Sequence, residues 1–293
     1  MDGVIVVDKP GGWTSHDVVN RMRRLASTRK VGHLGTLDPA ATGVLPLVIG
    51  RATRLAQFYT RNDKVYEGVV HFGWSTHSYD ADGERTSEER AVSLTPESVE
   101  AAFRPFRGPF EQVPPPVSAK KIDGRPAYEL ARKQLPVELK PSSIEVYSLD
   151  ILSIEGVQIR MRVHCSAGTY LRSIAHDAGQ AMGCGAFLQS LRRTASGDFK
   201  IESARTLEQL AELAAEDRLK EALIPAAEML PHFPSEIVDQ MTVGQIRNGR
   251  DFRTSPFLIR KDTRYVKAVD SAGDLVAIGE ARLPHVYHPV LVL

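Results

Sequence analysis

Cysteine is nearly absent from this chain: Cys165 and Cys184 are the only two in 293 residues. That excludes a disulfide framework and any Cys-x-x-Cys metal site. The nine histidines fall in no His-Glu-x-x-His or other recognised ligand spacing, so neither a metal nor a cofactor is expected. Long apolar runs are missing too, with nothing near the roughly 18 residues a membrane span needs. The chain passes from Met1 directly into Gly3-Val4-Ile5-Val6-Val7-Asp8, too short and too quickly acidic for the apolar region of a signal peptide. These absences set the expectation of a cytoplasmic protein with no membrane segment. Charge of one sign is also lacking. Thirty-seven basic against 36 acidic residues give a net charge of +1, whereas a nucleic-acid binder normally shows a basic footprint. Local counts soften that contrast. Residues 1–60 carry eight Lys/Arg against four Asp/Glu, and residues 160–193 carry five Arg against one Asp, while acids collect in 82–100 and 202–221. Such segregation fits one face turned to phosphates, although basic clusters on ordinary solvated helices look the same.

What is present reads as an ordinary globular chain, 42% hydrophobic and 25% charged, long enough for one large domain or two. Residues 4–8 predict a short strand ending at the turn Lys9-Pro10-Gly11-Gly12. Ser15 is placed to cap a helix with Val18, Val19, Met22 and Leu25 on one face. A second helix is predicted through 51–59, with Ala52, Leu55, Ala56 and Tyr59 on one stripe. Residues 64–72 alternate, putting Tyr66, Gly68, Val70 and Phe72 on one face of a strand. Alternation is clearest over 157–165, and 144–154 pattern similarly, as a paired strand would. Helices are expected at about 170–182 and from the capping box Thr206-Leu207-Glu208-Gln209. The Pro-rich, basic stretch 109–126 reads as an exposed loop, and loops of that length inside a domain are often functional. Beyond Pro231-His232-Phe233-Pro234 the texture changes to short strands, at 265–270, 275–281 and 290–293. Arg247, Arg250, Arg253, Arg260, Lys261, Arg264 and Lys267 give this last region a basic run suited to phosphates.

The most informative stretch is Gly32-His33-Leu34-Gly35-Thr36-Leu37-Asp38-Pro39-Ala40-Ala41-Thr42-Gly43. One acid, Asp38, stands among glycines that permit close backbone approach and a proline that fixes φ just after it. A lone carboxylate framed in this way suits a catalytic group. Asp-Pro is equally a favoured helix start, with Asp as N-cap and Pro at the first helical position.

This stretch resembles the catalytic motif of the TruB family of tRNA pseudouridine synthases, Gly-His-x-Gly-x-Leu-Asp-Pro-x-Ala-x-Gly. Further blocks follow in the family's order. Asp8-Lys9-Pro10-Gly11-Gly12-Trp13-Thr14-Ser15 comes first, then Tyr66, Gly73 and Asp80-Ala81-Asp82-Gly83. Ser166-Ala167-Gly168-Thr169-Tyr170-Leu171-Arg172 is similar to Ser-x-Gly-Thr-Tyr-Ile-Arg, and Leu191-Arg192-Arg193 closes the set. The blocks span residues 4 to about 193. Between Gly73 and Asp80 the chain departs from the pattern: many members have Thr-Asp-Thr in that interval, and His77 and Ser78 replace two of those positions.

The resemblance implies that Asp38 is the catalytic residue in converting a tRNA uridine to pseudouridine. That reaction breaks the N-glycosidic bond, turns the base and joins C5 to the ribose. One carboxylate can serve it by attack at C1′, as a base at C2′ or by stabilising positive charge on the sugar. It implies that Arg172 keeps Asp38 ionised, that Tyr66 stacks on the extruded uracil and that Leu191 walls its pocket. It further implies that His33 fills the space of flipped nucleotides, that Asp80 lies near the target base, and that Lys9 contacts substrate or supports the loop. Without it, each has a plainer reading: core aromatic, surface ion pair, loop histidine or turn cap.

The expected fold is α+β, a mixed, largely antiparallel central sheet flanked by helices, with a small β-rich C-terminal domain. Residues 1–232 would form the catalytic domain, with an RNA-gripping insertion at about 109–140, and 233–293 a PUA-like domain. The expected substrate is the T-arm of tRNA at uridine 55, and the expected state is a monomer with no protein partner. Two rivals stand: a non-catalytic RNA-binding or tRNA-folding protein on the same scaffold, and a nucleoside hydrolase, which would want a second acid or a metal.

Overall fold

The computed structural model describes residues 1–117, 121–122, 125–126 and 140–293. The first part of the chain lays down β1 (Gly3–Lys9), β2 (Val31–His33), β3 (Thr42–Ile49), β4 (Lys64–Phe72), β5 (Gly108–Gln112), β6 (Lys121–Ile122) and β7 (Arg125–Pro126). Then come the long antiparallel pair β8 (Ser142–Glu155) and β9 (Gln158–Cys165), followed by β10 (Ala186–Ser196), β11 (Phe199–Lys200) and β12 (Ile224–Pro225). Among the described residues four α-helices are interleaved with these strands: α1 (Ser15–Leu25), α2 (Pro96–Phe103), α3 (Leu171–Ala181) and α4 (Leu207–Ala215). The large sheet runs β12-β1-β3-β10-β4-β9-β8-β5, with β2 beside β3 and β11 beside β10. Among the described residues its ladders are antiparallel except where β3 meets β10. This is the mixed, largely antiparallel sheet that the alternating segments lead one to expect.

The helices cover one face in two groups. Under α2 and α3 lies a core of Val70, Phe72, Phe103, Met161, Val163 and Ile174. Under α1 and α4 lies another, of Ile5, Val7, Val18, Met22, Leu45 and Leu47. Tyr66 of β4 and Leu191 of β10 are only partly buried and pack against both. The seam between the two half-cores therefore falls at mid-sheet.

Three expectations change in detail. The cap of α1 is Thr14, in a capping box with Asp17, and Ser15 is the first helical residue, turned inward. Residues Gly50–Tyr59 do form a helix, but of the tighter 3-10 form, with Ala52, Leu55 and Tyr59 buried. Gly108–Gln112, read as the start of a loop, is the edge strand β5 on β8. Most of the insertion expected at about 109–140 lies outside the described residues.

Residues Ser235–Val292 build a second, five-stranded sheet, in the order β13 (Ser235–Ile237), β15 (Tyr265–Val269), β16 (Leu275–Leu283), β17 (Val286–Val292) and β14 (Phe252–Arg253), with α5 (Gln240–Arg247) against it. Its Leu275, Ile278 and Leu291 share one core with Val4 and Val48 of the first sheet and with Leu55 and Tyr59. At this junction the Leu230 N–H donates to the buried Tyr59 Oη at 2.8 Å. Among the described residues no helix is long and apolar enough to cross a membrane. Tyr59→Phe should leave the Leu230 amide bare and lower stability by about 1–3 kcal/mol. Urea unfolding measures this, and the parent midpoint in the variant would mean that the bond carries nothing.

Candidate active site

Asp38 starts no helix. After it the chain turns, with the Ala41 N–H donating to the Asp38 carbonyl at 3.1 Å, and enters β3 at Thr42. The helix-cap reading of Asp38-Pro39 is thereby removed. Instead the carboxylate, about half exposed, pairs with the Arg172 guanidinium, Nη2 to Oδ2 at 3.0 Å. Arg172 stands in the first turn of α3 with its side chain 7% exposed. Its Nη1 donates to the Ser78 carbonyl at 3.1 Å and to Asp80 Oδ2 at 3.2 Å. One buried guanidinium thus joins two carboxylates distant in sequence. Asp80 keeps its turn-capping part as well, since its other oxygen accepts from Ser78 Oγ and from the Asp82 N–H. The departure at Ser78 is therefore not empty, because its hydroxyl and its carbonyl both serve this corner.

Asp38 and Arg172 border a cleft of about 270 Å³ whose walls include Tyr66, Leu191, Lys64 and the turn Gly168-Thr169. It opens along the mid-sheet seam, where neither half-core closes over Tyr66 and Leu191. Burial pushes the Tyr66 phenol above its ordinary value. Four of the seven residues singled out by sequence, Asp38, Tyr66, Arg172 and Leu191, line this one cleft. Asp80 reaches it through Arg172. His33 lies at the end of β2, where its Nδ1 accepts from the Gly35 N–H at 3.4 Å, and burial lowers its pKa. It is not among the cleft-lining residues.

Lys9 lies beneath the loop rather than in the cleft. Its fully buried ammonium donates to the carbonyls of Pro10 (2.9 Å), Trp13 (2.6 Å) and Pro39 (3.0 Å). Burial pushes its pKa down to about 8, and the Asp38 carboxylate works against that shift. The Gly12 N–H also donates to the Pro39 carbonyl, at 2.9 Å. The turn after β1 is therefore buttoned to the residue that follows Asp38.

Two supports are not apparent from the sequence. Ser15 Oγ accepts from the Leu37 N–H at 2.9 Å and donates to the Leu37 carbonyl at 3.0 Å, clasping the residue before Asp38. Arg193, which closes the last sequence block, is almost wholly buried. Its guanidinium donates to the carbonyls of Val44 (2.7 Å), Thr36 (3.3 Å) and Gly35 (3.0 Å). Gly43 lets β3 come close to β10 here: its φ is +99°, and a Cβ would lie 2.2 Å from the Arg193 carbonyl oxygen. The glycine and the arginine are plain in the sequence, but not which backbone the arginine holds.

A larger hollow of about 750 Å³ lies between α1 and α4, beside Trp13, Arg21 and Arg24, and holds none of the seven residues. The basic run expected on the C-terminal domain also needs correction at Lys267. That side chain is buried and donates to the carbonyls of Ala227 (2.7 Å) and Met229 (3.1 Å), so it is not free for phosphate. Arg264 is paired with Glu280 at 3.1 Å and Arg260 with Asp262 at 3.2 Å. Arg247, Arg250 and Arg253 are exposed and form no ion pair among the described residues.

Over 97% of its length the chain superposes on a solved Cbf5-Nop10-Gar1 complex, covering 79% of that chain with a TM-score of 0.71 at 30% identity. Over 99% it superposes on an H/ACA RNP bound to a substrate RNA containing 2′-deoxyuridine, covering 84% of that chain with a TM-score of 0.72 at 27% identity. This mixed sheet with its central cleft is the pseudouridine synthase fold. Residues 23–171 match the TruB family pseudouridylate synthase N-terminal domain, and residues 172–231 match the tRNA pseudouridylate synthase B C-terminal domain. The chain is 65% identical over 293 residues, all of both chains, to the tRNA pseudouridine synthase B of Solibacter usitatus (strain Ellin6076). It is 46% identical over 253 residues to that of Mycobacteroides abscessus, covering 85% of this chain and 83% of the relative. The chain belongs to the TruB family of pseudouridylate synthases.

Lys9→Met keeps the bulk but removes all three donors. The part-buried carbonyls of Pro10 and Trp13 lose their donor, at about 1 kcal/mol each, while that of Pro39 keeps the Gly12 N–H. The slackened loop should also slow turnover by about tenfold or more, since small misplacements near a reacting group are expensive. Thermal melting and single-turnover kinetics measure the two effects. A variant that melts and turns over like the parent would remove Lys9 from the support of Asp38.

Proposed function

We propose that this chain isomerises uridine to pseudouridine in tRNA, at uridine 55 of the TΨC loop, with Asp38 as the catalytic carboxylate. The observation that carries the reading is the Asp38–Arg172 ion pair at 3.0 Å beside a cleft walled by Tyr66 and Leu191. Relatives named tRNA pseudouridine synthase B, one matched over its whole length, supply the substrate class. An enzyme acting on a base must take it out of the stack, and the ring of Tyr66 offers replacement stacking on one side. Leu191, beside Tyr66 on the adjacent strand β10, adds an apolar wall. Arg172, almost dry, pairs with Asp38 and holds it aimed at the sugar. A nucleoside hydrolase would need a second acid free to activate water. Asp80, the nearby carboxylate, is taken up by Arg172, Ser78 and the Asp82 amide, which disfavours that rival.

In this reading Lys9 supports the catalytic loop, His33 fills the space left by flipped nucleotides, and Asp80 holds Arg172 close to the target base. Residues 1–232 act as the catalytic domain. Residues 233–293 act as a PUA-like domain that contacts the tRNA outside its target loop. The enzyme works as a monomer in the cytoplasm, a setting in which its two buried cysteines stay as free thiols.

Asp38→Asn removes charge and keeps shape. With an unmodified T-arm stem-loop and pseudouridine mapped by carbodiimide-blocked primer extension, it should abolish the stop while thermal stability and RNA affinity stay near the parent. Pseudouridine formation within about tenfold of the parent rate, or about 1.4 kcal/mol of barrier, would overturn the assignment. Changing Arg247, Arg250 and Arg253 together to Gln should weaken tRNA binding and make log K fall less steeply with log salt, by about one unit for each phosphate no longer neutralised. An unchanged slope would leave that surface with no part in RNA binding.

A further inference from the structure

The loop that faces Arg172 is held in an unusual way. Tyr79 has φ +66°, in the left-handed region where a residue bearing a Cβ is strained. Its ring lies flat on that of His176, with centroids 3.7 Å apart and planes at 10°. His176 follows Arg172 by four residues on α3, so the two side chains rise from one helix face. That face grips three consecutive loop residues. Arg172 takes the Ser78 carbonyl and the Asp80 carboxylate, and His176 takes the ring of the residue between them. From the other side the Leu188 N–H donates to the Tyr79 carbonyl at 2.9 Å, and Thr76 Oγ1 donates to the Asp80 carbonyl at 2.7 Å. His176 Nδ1 is buried with no hydrogen-bond partner among the described residues, so this part of the ring is engaged by packing alone. Burial also lowers the imidazole pKa, which favours the neutral ring.

We propose that the Tyr79–His176 stack is a positioning device for the reaction: it keeps Tyr79 left-handed, so that Asp80 faces Arg172 Nη1 and leaves Nη2 aimed at Asp38. The proposal rests on the reading of Asp38 as the catalytic carboxylate. Without the stack the strained residue relaxes toward φ below zero and swings Asp80 away. Arg172 then keeps one carboxylate instead of two, and its guanidinium is free to turn. Rate depends on such a guanidinium being held to within a fraction of an ångström, whereas RNA affinity is spread over a far larger surface.

The test uses the full chain and an unmodified T-arm stem-loop, with single-turnover rates measured across RNA concentration and thermal melts run on every variant. His176→Ala removes the partner ring, His176→Phe restores a flat ring without nitrogen, and Tyr79→Ala removes the other ring but keeps the strain of a Cβ at positive φ. Should His176→Ala fold poorly, Tyr79→Ala carries the same question from the loop side. The saturating rate should fall by about 10- to 100-fold in His176→Ala and Tyr79→Ala, with half-saturating RNA within about threefold of the parent. His176→Phe should bring the rate back to within about threefold. The parent rate in either ring-deleting variant would overturn the proposal. So would a loss seen only in half-saturation, or a failure of His176→Phe to recover the rate while it melts like the parent. Asp38→Asn runs alongside: activity retained there overturns the reading of Asp38 and the proposal with it. Parent rates in His176→Ala beside a dead Asp38→Asn overturn the proposal alone.

Discussion

The guanidinium of Arg172 is the point on which the site depends. A cation almost out of water is tolerable only when it is paired and hydrogen-bonded, and Arg172 meets that demand with Asp38, Asp80 and the Ser78 carbonyl. Removing one partner of such a buried group typically costs several kcal/mol, so the arrangement resists drifting apart. The same constraint fixes distance. α3 has to start where its first turn can reach both the loop after β2 and the loop after β4, and the long β8–β9 pair delivers the chain to that place. Asp38 lies within the segment matched by one family model, and Arg172 opens the segment matched by the next.

The cleft follows from how the sheet is covered. Two groups of helices pack on one face, each over its own core, and they leave a furrow over β4 and β10. Tyr66 and Leu191 are the residues that a continuous core would have buried completely. Their partial exposure gives an apolar surface next to a charged pair, which under the proposed function would face the displaced base and its sugar. The opposite face serves stability instead, for there the C-terminal sheet completes a core with β1, β3 and the 3-10 segment.

Much of this is legible in the sequence, for reasons that can be named. The alternation of Gln158–Cys165 predicts a strand because one face is packed and the other is solvated by Arg160 and Arg162. Thr206 predicts its helix because a capping box is a local device. Asp38 stands out through its motif, while its pairing with Arg172 comes only through resemblance, since no local rule joins residues so far apart. Strand β3 is hidden by the Gly43 and Pro46 within it, two residues that usually argue against a strand interior. Ser15 misleads because Thr14 and Ser15 are equally able to cap, and only the position of Leu37 decides between them. Lys267 misleads because β15 is covered on both faces. Val266 and Ala268 point into the domain's own core, while Tyr265 and Val269 pack toward the catalytic sheet, so a lysine between them is enclosed.

The parallel ladder between β3 and β10 has a consequence for how the molecule comes into being. β3 meets β10 at Thr42 and Arg192, 150 residues apart, and Arg193 can clasp the loop before Asp38 only once that ladder exists. Closing so long a connection is entropically slow compared with forming the neighbouring hairpins. While the chain is being synthesised, the Asp38 loop emerges early and waits unclasped until about two-thirds of the protein has left the ribosome. Only pairs such as β2–β3 and β8–β9 are local; β4 too must wait for β9 and β10, so the competence to do chemistry arrives late.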